Sequence, residues 1–230
     1  MPLLSPAFAA SSAACERSVQ QILRGNYDAA LRQLEGAKTS GAEPAEVENV
    51  RGLALLLEGH TAKALESFDK ALTLQPALLA ARFNRALALL RNGEYANAAA
   101  DLEKVYADEH TALRADAAYH LGIAYDRLGR APEAETWLDR ALKLDAKLDA
   151  ALLYTGLLRE RRGDLQGAGR AYLDYLERYP QSAPALLRFG ISAQKAGRID
   201  VAKQYLQRAI AAAPTSDEAI EARKFLVMWE

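Results

Sequence analysis

Glycines stand at Gly25, Gly59, Gly93, Gly129, Gly163 and Gly197, and each is followed five residues later by an alanine: Ala30, Ala64, Ala98, Ala134, Ala168 and Ala202. Successive glycines are 34, 34, 36, 34 and 34 residues apart by subtraction. A fixed period in this range marks an all-α solenoid of stacked helix pairs rather than a globular enzyme core. Because each unit of a solenoid touches its neighbours, the expected body is elongated and without a central core. Function is therefore sought on a surface.

The 230 residues are 50% hydrophobic and 26% charged, as in ordinary folded chains. Lys and Arg total 29 against 30 for Asp and Glu, which supplies no global field to hold nucleic acid or an anionic membrane. A single cysteine, Cys15, rules out an intramolecular disulfide. No apolar run approaches the roughly 20 residues that span a bilayer. Ala7-Phe8-Ala9 has the small-x-small form of a signal-peptidase site, but no basic stretch precedes it and Pro2-Leu3-Leu4 is too short for an apolar region. Residues 1–10 thus read either as the remnant of an export signal, favouring the periplasm slightly, or as a disordered N-terminus. A lipid anchor on Cys15 is disfavoured because Ser12-Ala13-Ala14 places no bulky apolar residue ahead of it.

The unit from Ala115 to Leu148 shows the repeat most clearly. Ala118, Leu121, Gly122 and Tyr125, then Ala134, Leu138 and Ala141, recur at helical spacing, so two helices face one another. Gly129 falls between them, where a left-handed residue closes the first helix. Pro132 falls in the first turn of the second, where its missing N–H costs nothing. Small side chains at Gly122 and Ala134 let the two backbones approach.

Leu121-Gly122-x2-Tyr125 followed by Ala134-x3-Leu138 resembles the pattern of the tetratricopeptide repeat family. The remaining units align as 11–44, 45–78, 79–112, 149–182 and 183–216, with Leu113-Arg114 inserted after the third and Pro76, Pro180 and Pro214 at the family's closing position. The resemblance implies a right-handed superhelical solenoid of six helix-turn-helix units, and residues 217–230 supply a capping helix through a stripe of Ala222, Phe225, Leu226 and Trp229. Arg17, Arg51 and Arg85 replace the family's buried leucine, and Glu48 and Arg82 its large aromatic. These charges are expected either to pair across neighbouring repeats or to leave the N-terminal half the softer one.

In this family the first helix of each unit lines the concave, ligand-bearing face, with repeat positions 2, 5, 6, 9, 12 and 13 turned toward it. Position 9 is aliphatic throughout, including Leu53, Leu87, Ile123, Leu157 and Ile191. Position 5 is apolar from the third unit on, at Phe83, Tyr119, Leu153 and Leu187, and position 6 adds Asn84, His120 and Tyr154. Position 13 gives Arg91, Arg127, Arg161 and Lys195. The aliphatic row reads either as a ligand floor or as packing between first helices. The basic row reads either as a rim for acidic groups or as cations answering the helix dipole. The family's clamp for chaperone C-termini needs Lys and Asn in one unit, Asn in the next, and Lys with Arg in the third. Units two to four offer Asn49 and Leu53, then Asn84, then Asp116 and His120, and only Asn84 fits.

Catalytic patterns are missing. His60, His110 and His120 are not spaced as a helical metal pair, and one cysteine cannot complete a zinc site with them. Gly167-x-Gly169 lies inside a second helix with no preceding strand, so it is no dinucleotide motif. Pairs such as Glu133 with Glu135 read as solvated helix faces. The sequence therefore points to a non-enzymatic scaffold that binds a protein or peptide segment, with no cofactor, metal or nucleic acid. The six units, the 36-residue step and the run from Ala183 to Ala193 also resemble the six-repeat pilotin proteins of type IV pili, which assist assembly of outer-membrane secretins. A regulatory arm of a separately encoded enzyme is the rival reading. Met228 and Trp229 leave room for weak self-association through the last helix.

Overall fold

The computed structural model describes residues 12–37 and 41–228. These fall into two compact units, Met1–Leu144 and Asp145–Glu230, each treated by itself.

The first unit holds α1 (Ala13–Leu23), α2 (Tyr27–Ala37), α3 (Pro44–Glu58), α4 (Thr61–Leu74), α5 (Leu79–Asn92), α6 (Tyr95–Ala107), α7 (Arg114–Arg127) and α8 (Ala131–Leu144). The second holds α9 (Asp149–Arg161), α10 (Leu165–Arg178), α11 (Ala183–Lys195), α12 (Ile199–Ala212) and α13 (Asp217–Val227). No strand occurs among the described residues, and none of their helices is long and apolar enough to cross a membrane. Odd and even helices pack as successive pairs, and each pair also packs on the next within its unit.

The six ladder glycines all have φ between 74° and 104°. At Gly129 the N–H donates back to the Asp126 carbonyl and that of Arg130 to the Tyr125 carbonyl, so a side chain here would strain the turn that ends α7. Helix starts are set by local chemistry. The Ser12 hydroxyl accepts from the Cys15 N–H, Asp164 from the Gly167 N–H and Ser216 from the Ala219 N–H, while Pro44 and Pro184 occupy first-turn positions of α3 and α11.

Within a pair, a small residue of the first helix receives a large one from the second. A Cβ on Gly122 would lie 2.7 Å from Leu138 Cγ, on Gly52 2.6 Å from the Phe68 ring, and on Gly156 2.5 Å from the Tyr172 ring. Phe68, Leu138 and Tyr172 are all but sealed from solvent. The inserted Leu113 is likewise buried, 4% exposed, against Phe83 and Leu121, and Arg114 stacks over Tyr106 at 4.8 Å. The 36-residue step thus adds one core side chain and one cation–π contact without disturbing the pairing of α7 with α8.

Most of the charges that replace family apolar residues are paired. Arg85 on α5 holds Asp101 of α6 through two bonds of 2.7 and 2.8 Å and Asp69 of α4 at 2.7 Å. Arg82 joins the same Asp101 at 3.3 Å and donates to the Pro76 carbonyl at 2.7 Å. Arg51 on α3 reaches Glu35 of α2 at 2.5 Å and approaches Glu48 at 3.7 Å. Arg17 stands exposed on α1.

In the second unit, Ala219 and Ala222 of α13 are sealed, with Phe225 and Leu226 packed partly against the cluster of Leu186, Phe189 and Leu206. Trp229 and Ala7-Phe8-Ala9 lie outside the described residues.

Candidate functional site

The candidate residues all lie on first helices: α3, α5 and α7 in the first unit, α9 and α11 in the second. The structure divides them by depth.

Five are interior. Leu53, Phe83, Leu187 and Ile191 are no more than 5% exposed and belong to the core clusters of their units. Asn84 is 1% exposed, and its amide donates to the Asn49 side-chain oxygen at 3.0 Å. The one residue that fitted the chaperone clamp is therefore consumed in a buried amide pair between α5 and α3, where leaving either partner unbonded would be costly. Of the aliphatic row at position 9, Leu53 and Ile191 pack into the core of their units.

Leu87, Tyr119, His120 and Ile123 in the first unit, and Leu153, Tyr154 and Leu157 in the second, are half-buried. His120 is fixed between Phe83 and Tyr119, with ring centroids 5.5 and 4.8 Å away in edge contacts, and its Nδ1 lies 2.9 Å from the Asp116 carbonyl. That contact places the proton on Nδ1, and burial pushes the imidazole below its usual pKa so that it stays neutral. Burial also raises the Tyr119 phenol, with the Asp116 charge adding to the effect, so its hydroxyl is a donor rather than an anion. This group offers apolar surface and, at His120 and Tyr119, neutral polar edges.

The basic row divides as well. Arg91 of α5 donates to the Leu56 carbonyl at 2.6 Å, near the C-terminal end of the neighbouring α3, where the helix dipole favours a cation. Lys195 reaches back from α11 to Glu160 of α9 at 2.6 Å. Glu160 is 7% exposed and also accepts from the Tyr172 hydroxyl at 3.0 Å, which together with burial holds that phenol far above its ordinary pKa. Arg127 and Arg161 are exposed, and the Arg127 guanidinium forms no hydrogen bond or ion pair among the described residues. Glu160 was missed by residue type alone. The signal was at position 12, where Ile22, Leu56 and Leu90 give way to Asp126, Glu160 and Gln194, one unit after position 13 turns basic at Arg91.

No cluster of His, Cys, Asp and Glu able to hold a metal occurs among the described residues. Cys15 is sealed in the core of the first unit, and burial raises its thiol pKa.

Comparison with known proteins follows this geometry. Two tetratricopeptide repeat profiles match, one over residues 24–78 and 83–149, the other over 150–182 and 184–216. No curated protein matches the chain. Among solved structures, PilW, a widely conserved type IV pilus biogenesis factor, superposes with a TM-score of 0.84 at 23% identity, over 92% of this chain and 96% of its own. PilF of Pseudomonas aeruginosa gives 0.80 at 19% identity, over 94% and 96%. YrrB, a TPR protein with an unusual peptide-binding site, gives 0.63 at 23% identity, over 83% and 97%. At such identities the likeness is one of fold. With more than half its length matched by one repeat profile, the helix pairs closed by left-handed glycines and packed small-against-large carry their family signature, and the chain belongs to the tetratricopeptide repeat family.

Proposed function

We propose that this chain is a non-enzymatic scaffold that binds a segment of another protein along its first helices. The observation that carries the reading is the set of half-buried apolar residues left on those helices: Leu87, Tyr119 and Ile123 on α5 and α7, Leu153 and Leu157 on α9. Aliphatic and aromatic side chains kept partly in water form the kind of patch that marks an interaction site. Arg127, exposed one helical turn from Ile123 and without a partner among the described residues, favours a segment with acidic groups beside its apolar anchors. Replacing Tyr119 or Leu153 by alanine should each weaken capture of the native partner by roughly 1–3 kcal/mol. Recovery equal to wild type from both variants would refute the reading.

A narrower version has its own support. The match to PilW and PilF spans 96% of each of those chains, so the likeness of fold is not confined to a pair or two of helices. On that basis the scaffold serves as an assembly factor for a type IV pilus or secretin system. Deleting the gene should abolish surface pili or secretin multimers, and complementation with a chain carrying both Tyr119→Ala and Leu153→Ala should fail to restore them. Normal piliation in the deletion strain would discard this version while leaving the scaffold reading intact.

A further inference from the structure

Two of the three junctions between repeats in the first unit, α2 with α3 and α4 with α5, are fastened by an acid on the second helix of one repeat and an arginine sixteen residues later on the first helix of the next, while at α6 with α7 the acid Glu103 accepts from the Tyr125 hydroxyl. Glu35 meets Arg51 in this way at 2.5 Å, and Asp69 meets Arg85 at 2.7 Å. The same two places at the junction of α10 and α11 hold Leu173 and Phe189. No ion pair joins α10 to α11 among the described residues. The residue one turn before Leu173 is Gly169, whereas the equivalent places in the first two units carry Leu31 and Leu65.

The outcome is an open slot of about 400 Å³, within the roughly 300–1,000 Å³ of ordinary ligand sites, with Gly169, Leu173, Phe189 and Ala193 among its lining residues. Phe189 is held in place from behind by an edge contact with Tyr205 at 4.4 Å. Leu173 is 37% exposed, so the slot leaves an apolar side chain in water. A Cβ on Gly169 would meet the Phe189 ring at 3.4 Å, ordinary contact, so the glycine is not demanded by packing and its effect is to keep the slot open. Arg170 and Arg198 also line it, both exposed, and neither guanidinium forms a hydrogen bond or ion pair among the described residues. Asp164, the residue before α10, caps the Gly167 N–H. Phe189 and Ala193 are each two positions, about 200°, from Leu187 and Ile191, so the slot opens on the side of α11 away from the first-helix row discussed above.

We infer that this slot is a second docking site, which takes one apolar side chain of an acidic protein segment whose carboxylates lie on Arg170 and Arg198. Two unpartnered guanidinium groups beside an apolar opening match an acidic segment and repel a basic one, and guanidinium forks bind carboxylates in pairs of hydrogen bonds.

The test uses the full chain and three fluorescein-labelled peptides followed by anisotropy: a leucine flanked by glutamates, a glycine flanked by glutamates, and a leucine flanked by lysines. Saturable binding of the first, at least tenfold tighter than of either other peptide and weakened by added salt, is the expected result. Gly169→Leu, which fills the slot, and the Arg170→Glu/Arg198→Glu pair should each weaken it at least tenfold, while Arg32→Glu, the same charge change on α2, should leave it unchanged. Amide shifts in NMR spectra should centre on Gly169 and Ala193. Absence of saturable binding, equal binding of the lysine peptide, or indifference to Gly169→Leu and the double arginine variant would overturn the inference. Equal binding of the glycine peptide would reduce the site to a surface for anions.

Discussion

The junctions between repeats are made by two different chemistries. In the first unit, α2 meets α3 and α4 meets α5 through arginine–carboxylate contacts, the latter backed by Asp101, whose side chain is 4% exposed. In the second unit, α10 meets α11 through leucine and phenylalanine. An ionic junction fixes register because each guanidinium must find its acid, but it gains little net energy once desolvation is subtracted. The apolar one gains by burial and tolerates an opening, since a leucine left partly in water costs far less than a charge left partly buried. This is why a slot occurs at that junction, and why the arginines around it are free to meet an external acid.

The contrast is sharpest in stability. Phe189→Ala should destabilise the second unit by about 3–5 kcal/mol, since it removes a side chain packed against Leu186, Tyr205 and Leu206, and the loss should be insensitive to salt. Asp101→Ala should cost roughly 3 kcal/mol in the first unit by leaving Arg82 and Arg85 without their shared acid, less any share that water recovers at these partly exposed arginines. Urea unfolding of both variants at low and high salt separates the two chemistries. Equal salt dependence would erase the distinction.

A pH dependence belongs to the first unit. His120 is held neutral below its ordinary pKa of 6.5, so the unfolded chain takes up a proton that the folded one resists, and stability falls as pH drops through and below that value. Urea midpoints at about pH 7.5 and about pH 5.5 should differ in wild type, and the contribution of this site should vanish in His120→Phe. The smallest effect is expected of Arg51→Ala. Its partner Glu35 is 64% exposed, so the change should amount to roughly 0.5 kcal/mol at low salt and to nothing measurable at high salt.

Much of this was legible beforehand, for reasons that differ by residue. A positive-φ turn admits glycine and almost nothing else, so the ladder located every first-helix end. Gly122 with Leu138 was equally plain, because a close backbone approach leaves a small residue as its trace. Depth was not legible. Position 9 read as one aliphatic row, yet Leu53 and Ile191 are covered by neighbouring helices while Leu87, Ile123 and Leu157 stay half in water. Spacing gives the direction of a side chain and says nothing of how far its neighbours overhang it. Asn84 looked like a ligand contact because it stands at position 6 and fits the family's clamp, and a buried amide partner 35 residues away leaves no local mark. Gly169 was set aside with Gly167 as no dinucleotide motif. Its physical meaning appears only when the ion pairs of other junctions are laid beside Leu173 and Phe189.

The central claim, that half-buried residues of the first helices hold a protein segment, is tested most directly by photo-crosslinking. Benzoylphenylalanine placed singly at Ile123 and at Leu157 in living cells, followed by sequencing of the attached peptides, should yield the same partner from both sites, through segments bearing apolar and acidic residues, and Tyr119→Ala should abolish the Ile123 product. Unrelated peptides from the two sites, or products that persist undiminished in the Tyr119→Ala background, would contradict it.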